Sequence, residues 1–170
     1  MRLYSYLLEK GVYKSLNKAS EGISRAEIYI NGKACLKASY EVKEIDVVEI
    51  IQQKMPYVSI GGDKLERAIN KVNPQISGKV FVDVGASTGG FTDCLLRFGA
   101  KKVYCVDVGE NLLDPTISSN SRVVVMDRTN ARFLKVEDFG NKVDGIVVDC
   151  SFISLEYILP SLVPLLEDNA

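Results

Sequence analysis

The stretch Lys79-Val80-Phe81-Val82-Asp83-Val84-Gly85-Ala86-Ser87-Thr88-Gly89-Gly90-Phe91-Thr92 decides the fold. Its short apolar run, broken by one acid and closed by a turn, reads as a strand buried on both faces. The glycines that follow let a backbone approach a ligand closely, and a helix opens after them. Their spacing is G-x-x-x-G-G, not the G-x-G-x-x-G of dinucleotide sites. Downstream, strand-like runs recur at 102–107, 122–126 and 144–149, separated by segments of helical spacing. This alternation predicts an α/β architecture with a doubly wound, mostly parallel sheet. Asp107 ends the second of these strands, 24 residues after Asp83. A carboxylate there can accept both hydroxyls of a ribose, which favours a nucleoside ligand without a pyrophosphate.

Upstream of this strand, a helix is expected from about Lys64 to Val72, halted by Asn73-Pro74. Residues 53–63, with Met55-Pro56 and Gly61-Gly62, read as a linker between a domain at 1–52 and one at 64–170. The first domain reads as a small α+β unit. A helix carries Leu3, Leu7 and Leu8 on one face and ends at Gly11, and Ser15 caps a second helix reaching about Ser24. A strand over 27–30, the hairpin turn Asn31-Gly32 and a strand over 42–51 complete it.

The whole chain carries 21 basic and 22 acidic residues, yet residues 1–37 hold seven basic groups against three acids. Lys14, Lys18 and Arg25 are spaced to share one side of the second helix, with Lys33 and Lys37 on the hairpin. Such a face can track phosphates, although charge alone favours a plain solvated surface. No apolar run is long enough to span a bilayer and the start lacks the pattern of a signal peptide, so a cytoplasmic location and no membrane partner are expected. The chain has no histidine, which excludes imidazole triads, and Ser87-Thr88 does not match a hydrolase's G-x-S-x-G. Cys35, Cys94, Cys105 and Cys150 form no C-x-x-C pair and read as free thiols; no metal site is expected.

Gly85–Thr92, Val106-Asp107-Val108-Gly109, Arg128-Thr129-Asn130-Ala131-Arg132 and Asp149–Ser154 resemble, in order, the signature blocks of the TlyA (haemolysin A-type) proteins among the FtsJ-like methyltransferases. The first fifty residues resemble the RNA-binding domain first seen in ribosomal protein S-four. The resemblance implies a Rossmann-like catalytic domain and S-adenosylmethionine-dependent 2′-O-ribose methylation of ribosomal RNA, with ribosomal RNA or ribosomal subunits as partners. It implies cofactor contacts from Asp83, Gly85, Ser87, Gly89, Gly90, Phe91, Asp107 and Asp127, with Asp83 receiving the methionine amino group directly or through water; Asp127, after the third strand, reads equally as a solvent-facing turn residue.

The family's catalytic set is Lys-Asp-Lys-Glu. Lys64 matches its first lysine and Asp149 its aspartate, while the resemblance places the second lysine and the glutamate beyond residue 170. The helix expected over 155–166 would lead into a further strand, and the fourth strand would otherwise be an unpaired apolar edge. On that basis the 170-residue chain is expected to be a C-terminally truncated, inactive piece of the catalytic domain. Two departures from the pattern, Ile60 after Ser59 and Leu16 after Ser15, replace an arginine each and put RNA contacts in question. Arg128 and Arg132 either brace the loop after the third strand or touch RNA. Two other functions compete: a non-catalytic RNA-binding module on a methyltransferase scaffold, and the cytolysin that the haemolysin label suggests.

Overall fold

The computed structural model describes residues 1–51, 56–151, 153–168 and 170. The chain forms two compact units, Met1–Met55 and Pro56–Ala170. Most of the linker's start (52–55), the expected domain boundary at 52/53, and Phe152 within the Asp149–Ser154 block lie outside the described residues.

In the first unit, helix α1 (Leu3–Glu9) turns Leu3 and Leu7 inward, and α2 (Leu16–Ser24) begins where the Ser15 hydroxyl accepts from the Lys18 amide at 3.3 Å. Capping satisfies one of the four orphan amides of a helix start. Strands β1 (Ile28–Ile30), β2 (Lys33–Ala34) and β3 (Val48–Ile50) form an antiparallel sheet in the order β2-β1-β3. Asn31 and Gly32 both take positive φ, 51° and 74°, as a tight hairpin turn requires. Leu3, Leu7, Ala19, Ile23, Ile28 and Ile30 close the core.

The strand expected over 42–51 is only three residues long. Asp46 is the reason: its carboxylate accepts from the Lys43 amide (2.9 Å), the Tyr40 hydroxyl (3.1 Å) and the Asn31 amide nitrogen (2.9 Å). That knot bends the chain just before β3 and leaves Ile45 85% exposed. Lys14 also differs from expectation, lying in the loop before α2, while Arg25 is the C-cap of that helix.

The second unit is built on four parallel strands, β4 (Val80–Val84), β5 (Lys102–Val106), β6 (Val123–Met126) and β7 (Gly145–Val148), in the order β6-β5-β4-β7. The order reverses beside β4, the type of position where doubly wound sheets hold ligands. Helices α3 (Ile60–Val72) and α4 (Gly90–Arg97) cover one face through Leu65, Ile69, Phe91, Cys94 and Leu95. The short helix α5 (Pro115–Ser118) follows β5. Helix α6 (Leu155–Leu162) covers the other face through Ile158 and Leu162, packed on Val82, Val84, Tyr104 and Val106. Alternate residues of β4 thus serve opposite layers, as the pleat demands.

Helix α3 starts earlier than expected, so Gly61 and Gly62 form its first turn rather than a linker. Two adjacent glycines are poor helix formers. Here close packing offsets that cost: a Cβ on Gly62 would collide with the Tyr57 ring, and one on Gly90 of α4 with the Ser59 hydroxyl. The segment after α6 also departs from a single long helix. Pro164 helps turn Val163–Leu165 into a 3-10 helix, after which Leu166 makes a parallel bridge to Val143, just before β7. The Val143 amide donates to Leu165 O at 2.9 Å and the Glu167 amide to Val143 O at 3.0 Å.

Candidate nucleoside-cofactor site and ion pair

A cavity of about 430 Å³ opens at the carboxyl ends of β4 and β5. That volume lies within the range of about 300–1,000 Å³ for small-molecule sites. Val106, Val108, Leu112, Ala131, Ile153 and Ile158 give it apolar walls. Gly85, Ser87, Asp107, Thr129, Asn130 and Asp149 supply polar edges. Apolar walls with few polar groups suit a flat heterocycle carrying a sugar.

Asp107 is held firmly on this wall. One carboxylate oxygen accepts from the Ser87 amide at 2.9 Å and the other from the Gly109 amide at 2.8 Å. Each oxygen keeps acceptor capacity for a hydroxyl, since an ionised carboxylate offers about four lone-pair sites. Ser87 itself stands at φ 48°, a left-handed conformation costing an L-residue roughly 1–2 kcal/mol. The bond to Asp107 helps hold it there. Gly85 is required by its φ of 78° and because a Cβ would lie 2.8 Å from the Asp149 carbonyl oxygen.

The loops after β5 and β6 are stitched together beyond the strands. The Asp107 carbonyl accepts from the Thr129 amide at 2.8 Å, and the Gly109 carbonyl from the Arg128 amide at 2.9 Å. Asp127 does not line the cavity; its carboxylate accepts from the Asn111 amide at 3.0 Å, bracing the same loops. Arg128 pairs with Glu110 at 3.1 Å, both exposed, and Arg132 is exposed as well.

Asp83 lies in a different environment. It is 1% exposed under α4, where Thr92 Oγ1 donates to one oxygen at 2.7 Å and the other is buried without a hydrogen-bond partner. Burial pushes its carboxyl up to about 7, against the opposing pull of the Thr92 hydrogen bonds. Thr92 Oγ1 also sits 3.0 Å from Cys105 Sγ, whose thiol is pushed up to about 12 by burial. Gly89, at φ 93°, packs against Leu113 and Ile117; Gly90 packs against α3; Phe91 is buried. Asp83, Gly89, Gly90 and Phe91 are all absent from the cavity lining.

Lys64 and Asp149 meet although 85 residues separate them: Lys64 Nζ lies 2.7 Å from Asp149 Oδ1. The ammonium also stands 5.7 Å from the centre of the Phe91 ring, within cation–π range. Asp149 follows β7 and lines the cavity, so the pair sits at its margin.

Of the five cations expected to form a basic face, Lys14, Lys33 and Lys37 are exposed. Lys18 pairs with Glu21 at 3.3 Å, and Arg25 Nη2 is buried without a hydrogen-bond partner. The four cysteines are free thiols; Cys94 and Cys105 are buried, while Cys150 lines the cavity. Among the described residues no group of three or more His, Cys, Asp or Glu is placed to hold a metal ion.

Sequence reasoning assigned no role to the apolar residues of the cavity. Val108, Thr129, Asn130, Ala131, Cys150 and Ile153 stood within the quoted blocks, and that was the usable signal. Leu112 and Ile158 carried no signal apart from being apolar.

Comparison with known proteins agrees with this geometry. Residues 57–167 match the family model of the FtsJ-like methyltransferases and residues 1–48 that of the S4 domain. Hemolysin A of Brachyspira hyodysenteriae is 39% identical over 161 residues, covering 94% of this chain and 67% of that protein. The 16S/23S rRNA (cytidine-2'-O)-methyltransferase TlyA of Mycobacterium tuberculosis is 37% identical over 163 residues, covering 95% of this chain and 61% of that one. A solved chain from Streptococcus thermophilus, provisionally named a hemolysin, superposes with a TM-score of 0.70 at 34% identity, over 99% of this chain and 62% of its own. The chain thus spans about three fifths to two thirds of the relatives' length. On the match across its second unit, supported by the parallel sheet and the hollow at its rim, the chain belongs to the FtsJ-like methyltransferase family.

Proposed function

We propose that the protein transfers a methyl group from S-adenosylmethionine to a ribose 2′-hydroxyl of ribosomal RNA. The observation that carries this reading is the apolar hollow with Asp107 on its wall and the Lys64–Asp149 pair at its margin. The Mycobacterium relative is named for cytidine 2′-O-methylation of ribosomal RNA, which supports the same substrate class here.

The residues fit such a cofactor. The apolar walls suit an adenine ring, Asp107 can take both ribose hydroxyls, and Gly85 leaves the backbone bare where a nucleoside would approach. The unpartnered, buried oxygen of Asp83 offers an acceptor to the amino group at the other end of the cofactor, directly or through a water. Gly89, Gly90 and Phe91 act from behind, by fixing the turn and the start of α4. When bound, the cofactor supplies an electrophilic methyl carbon on a sulfonium. What remains for the protein is alignment and the handling of a weakly acidic hydroxyl. Lys64 brings a positive charge to the site and Asp149 holds it in place. Together they orient the incoming hydroxyl and stabilise charge that develops on it.

In the first unit, Lys14, Lys33 and Lys37 present charge to RNA phosphates, with Lys18 and Arg25 beside them. Contacts of this kind recognise shape and weaken steeply with salt. No helix among the described residues is long and apolar enough to cross a membrane. With a ribosomal RNA substrate, a cytoplasmic location is part of the same proposal.

Transfer of labelled methyl from S-adenosylmethionine to ribosomal RNA, measured with a chain that spans the full length of the relatives, tests the reading. Lys64→Met and Asp149→Asn are each expected to reduce transfer by about a hundredfold or more while leaving cofactor affinity within about threefold. Full transfer by either variant would remove that residue from the chemistry.

A further inference from the structure

We propose that Asp93 is a positioning residue for Lys64: from α4 it fixes the segment that starts α3, and so sets where Lys64 meets Asp149. The proposal rests on the reading of Lys64 and Asp149 as the reacting pair.

Asp93 is an acid only 7% exposed, on the fourth residue of α4. Its first partner is Arg97, one turn along, whose Nε donates at 2.8 Å and Nη2 at 3.2 Å. An i,i+4 pair of this kind ordinarily sits on a helix surface and contributes a few tenths of a kcal/mol. This one does more than brace its own helix. The Asp93 oxygen that meets Nη2 also accepts from the Val58 amide at 2.9 Å, across 35 residues of sequence. The Arg97 guanidinium lies over the Tyr57 ring, 4.7 Å from its centre. Ser59, 8% exposed, puts its hydroxyl where a Cβ of Gly90 would stand.

Three successive residues, Tyr57, Val58 and Ser59, are therefore fastened to α4 by three different contacts. A ring stacks under a cation, an amide donates to a carboxylate, and a hydroxyl fills the gap left by a glycine. Helix α3 begins at the next residue, with Ser59 as its N-cap. Helices are stiff rods rising about 1.5 Å per residue, so fixing the start fixes the height of every later side chain. Lys64 is the fifth residue of α3. Its ammonium must span only 2.7 Å to Asp149, and a slip of an ångström or so at the start would open that pair.

The reading makes a prediction about Lys64 that does not depend on methyl transfer. A lysine amine held in an ion pair meets an acylating reagent less readily than one that is not, and Lys71, exposed on the same helix, provides an internal reference. In the 170-residue chain, Lys64 is expected to acylate more slowly than Lys71, as read by peptide mass spectrometry. Asp149→Asn gives the rate of an unpaired Lys64. The pair is more than a third exposed, so its worth is modest and that rise is about two- to fivefold.

Asp93→Asn, which keeps the shape but loosens Arg97, is expected to produce at least half of that rise at Lys64 and none at Lys71. If Asp93→Asn accelerates every lysine together, the fold has opened, and Arg97→Lys becomes the deciding variant. It keeps a cation beside Asp93 but gives up the planar stack on Tyr57, and a smaller rise confined to Lys64 supports the proposal. A wild-type Lys64 rate in both variants, or in a folded Asp93→Asn, overturns it. Failure of the catalytic reading shows elsewhere, as full transfer by Lys64→Met, and leaves this measurement intact.

Discussion

The rims of β4 and β5 lie side by side, and each has a carboxylate within one residue of its last position, yet the two are placed in opposite ways. Asp107 stands at the cavity wall with both oxygens engaged by backbone amides. Asp83 lies one layer down, sealed under α4, with one oxygen on Thr92 and the other unpartnered. Burial without full hydrogen bonding penalises the charged form of Asp83, while Asp107, held by two amides at the wall, keeps lone pairs directed at the cavity. The lesson is that two residues along a strand change an acid's role: Asp83, level with Cys105, still lies within β4 and points into the α4 layer, whereas Asp107, just past the end of β5, turns to the mouth.

The largest effect should come from erasing the buried member. The fold holds a proton on Asp83 up to about pH 7, whereas the unfolded chain releases it in the ordinary carboxylate range. Stability is therefore full at acid pH and lost as pH rises toward 7, flattening above. Asp83→Asn should remove that slope, a gain at pH 8 relative to pH 3 of up to about 4 kcal/mol, read by urea unfolding at both values. Parallel pH profiles for wild type and variant would mean that Asp83 is not buried as described.

Next in size, Asp107→Ala should weaken S-adenosylmethionine binding by about a hundredfold, since two charged hydrogen bonds of roughly 1.5 kcal/mol or more each are lost. Calorimetry decides it, and an unchanged affinity would break the contrast between the two rims. The smallest effect belongs to the strained residue between them. Ser87→Gly should relieve the left-handed backbone and raise thermal stability by less than about 1 kcal/mol, because glycine's freedom in the unfolded chain offsets part of the gain. A loss of stability would show that the Ser87 conformation is not strained.

The four parallel strands were legible in the sequence because each is a short apolar run closed by a turn, and the Ser15 cap and the Asn31-Gly32 turn because single residues carry the signal. Two features were not. The strand expected over 42–51 fails because Asp46 collects three donors from residues near and far, a knot that alternation of apolar residues does not reveal. Helix α3 starts before Lys64 because two glycines that read as a linker are needed for close packing. At the site, spacing pointed to the turn and to Asp107, but the contact between Lys64 and Asp149 spans 85 residues and came only through family resemblance. Asp93 gave no signal, since an acid four residues before an arginine looks like any solvated helix pair.

The stitched loops after β5 and β6 have a consequence for traffic through the hollow. Leaving between them would mean breaking the Thr129, Arg128 and Asn111 amide bonds together, whereas among the described residues the margin lined by Asp149, Cys150 and Ser151 is not tied to those loops by such bonds. On the proposed function, exchange would run past Asp149, the same doorway at which a nucleic acid would have to present its hydroxyl. Cofactor loaded first would then be trapped by the arriving RNA, and the order of arrival and release would follow from where the wall is closed.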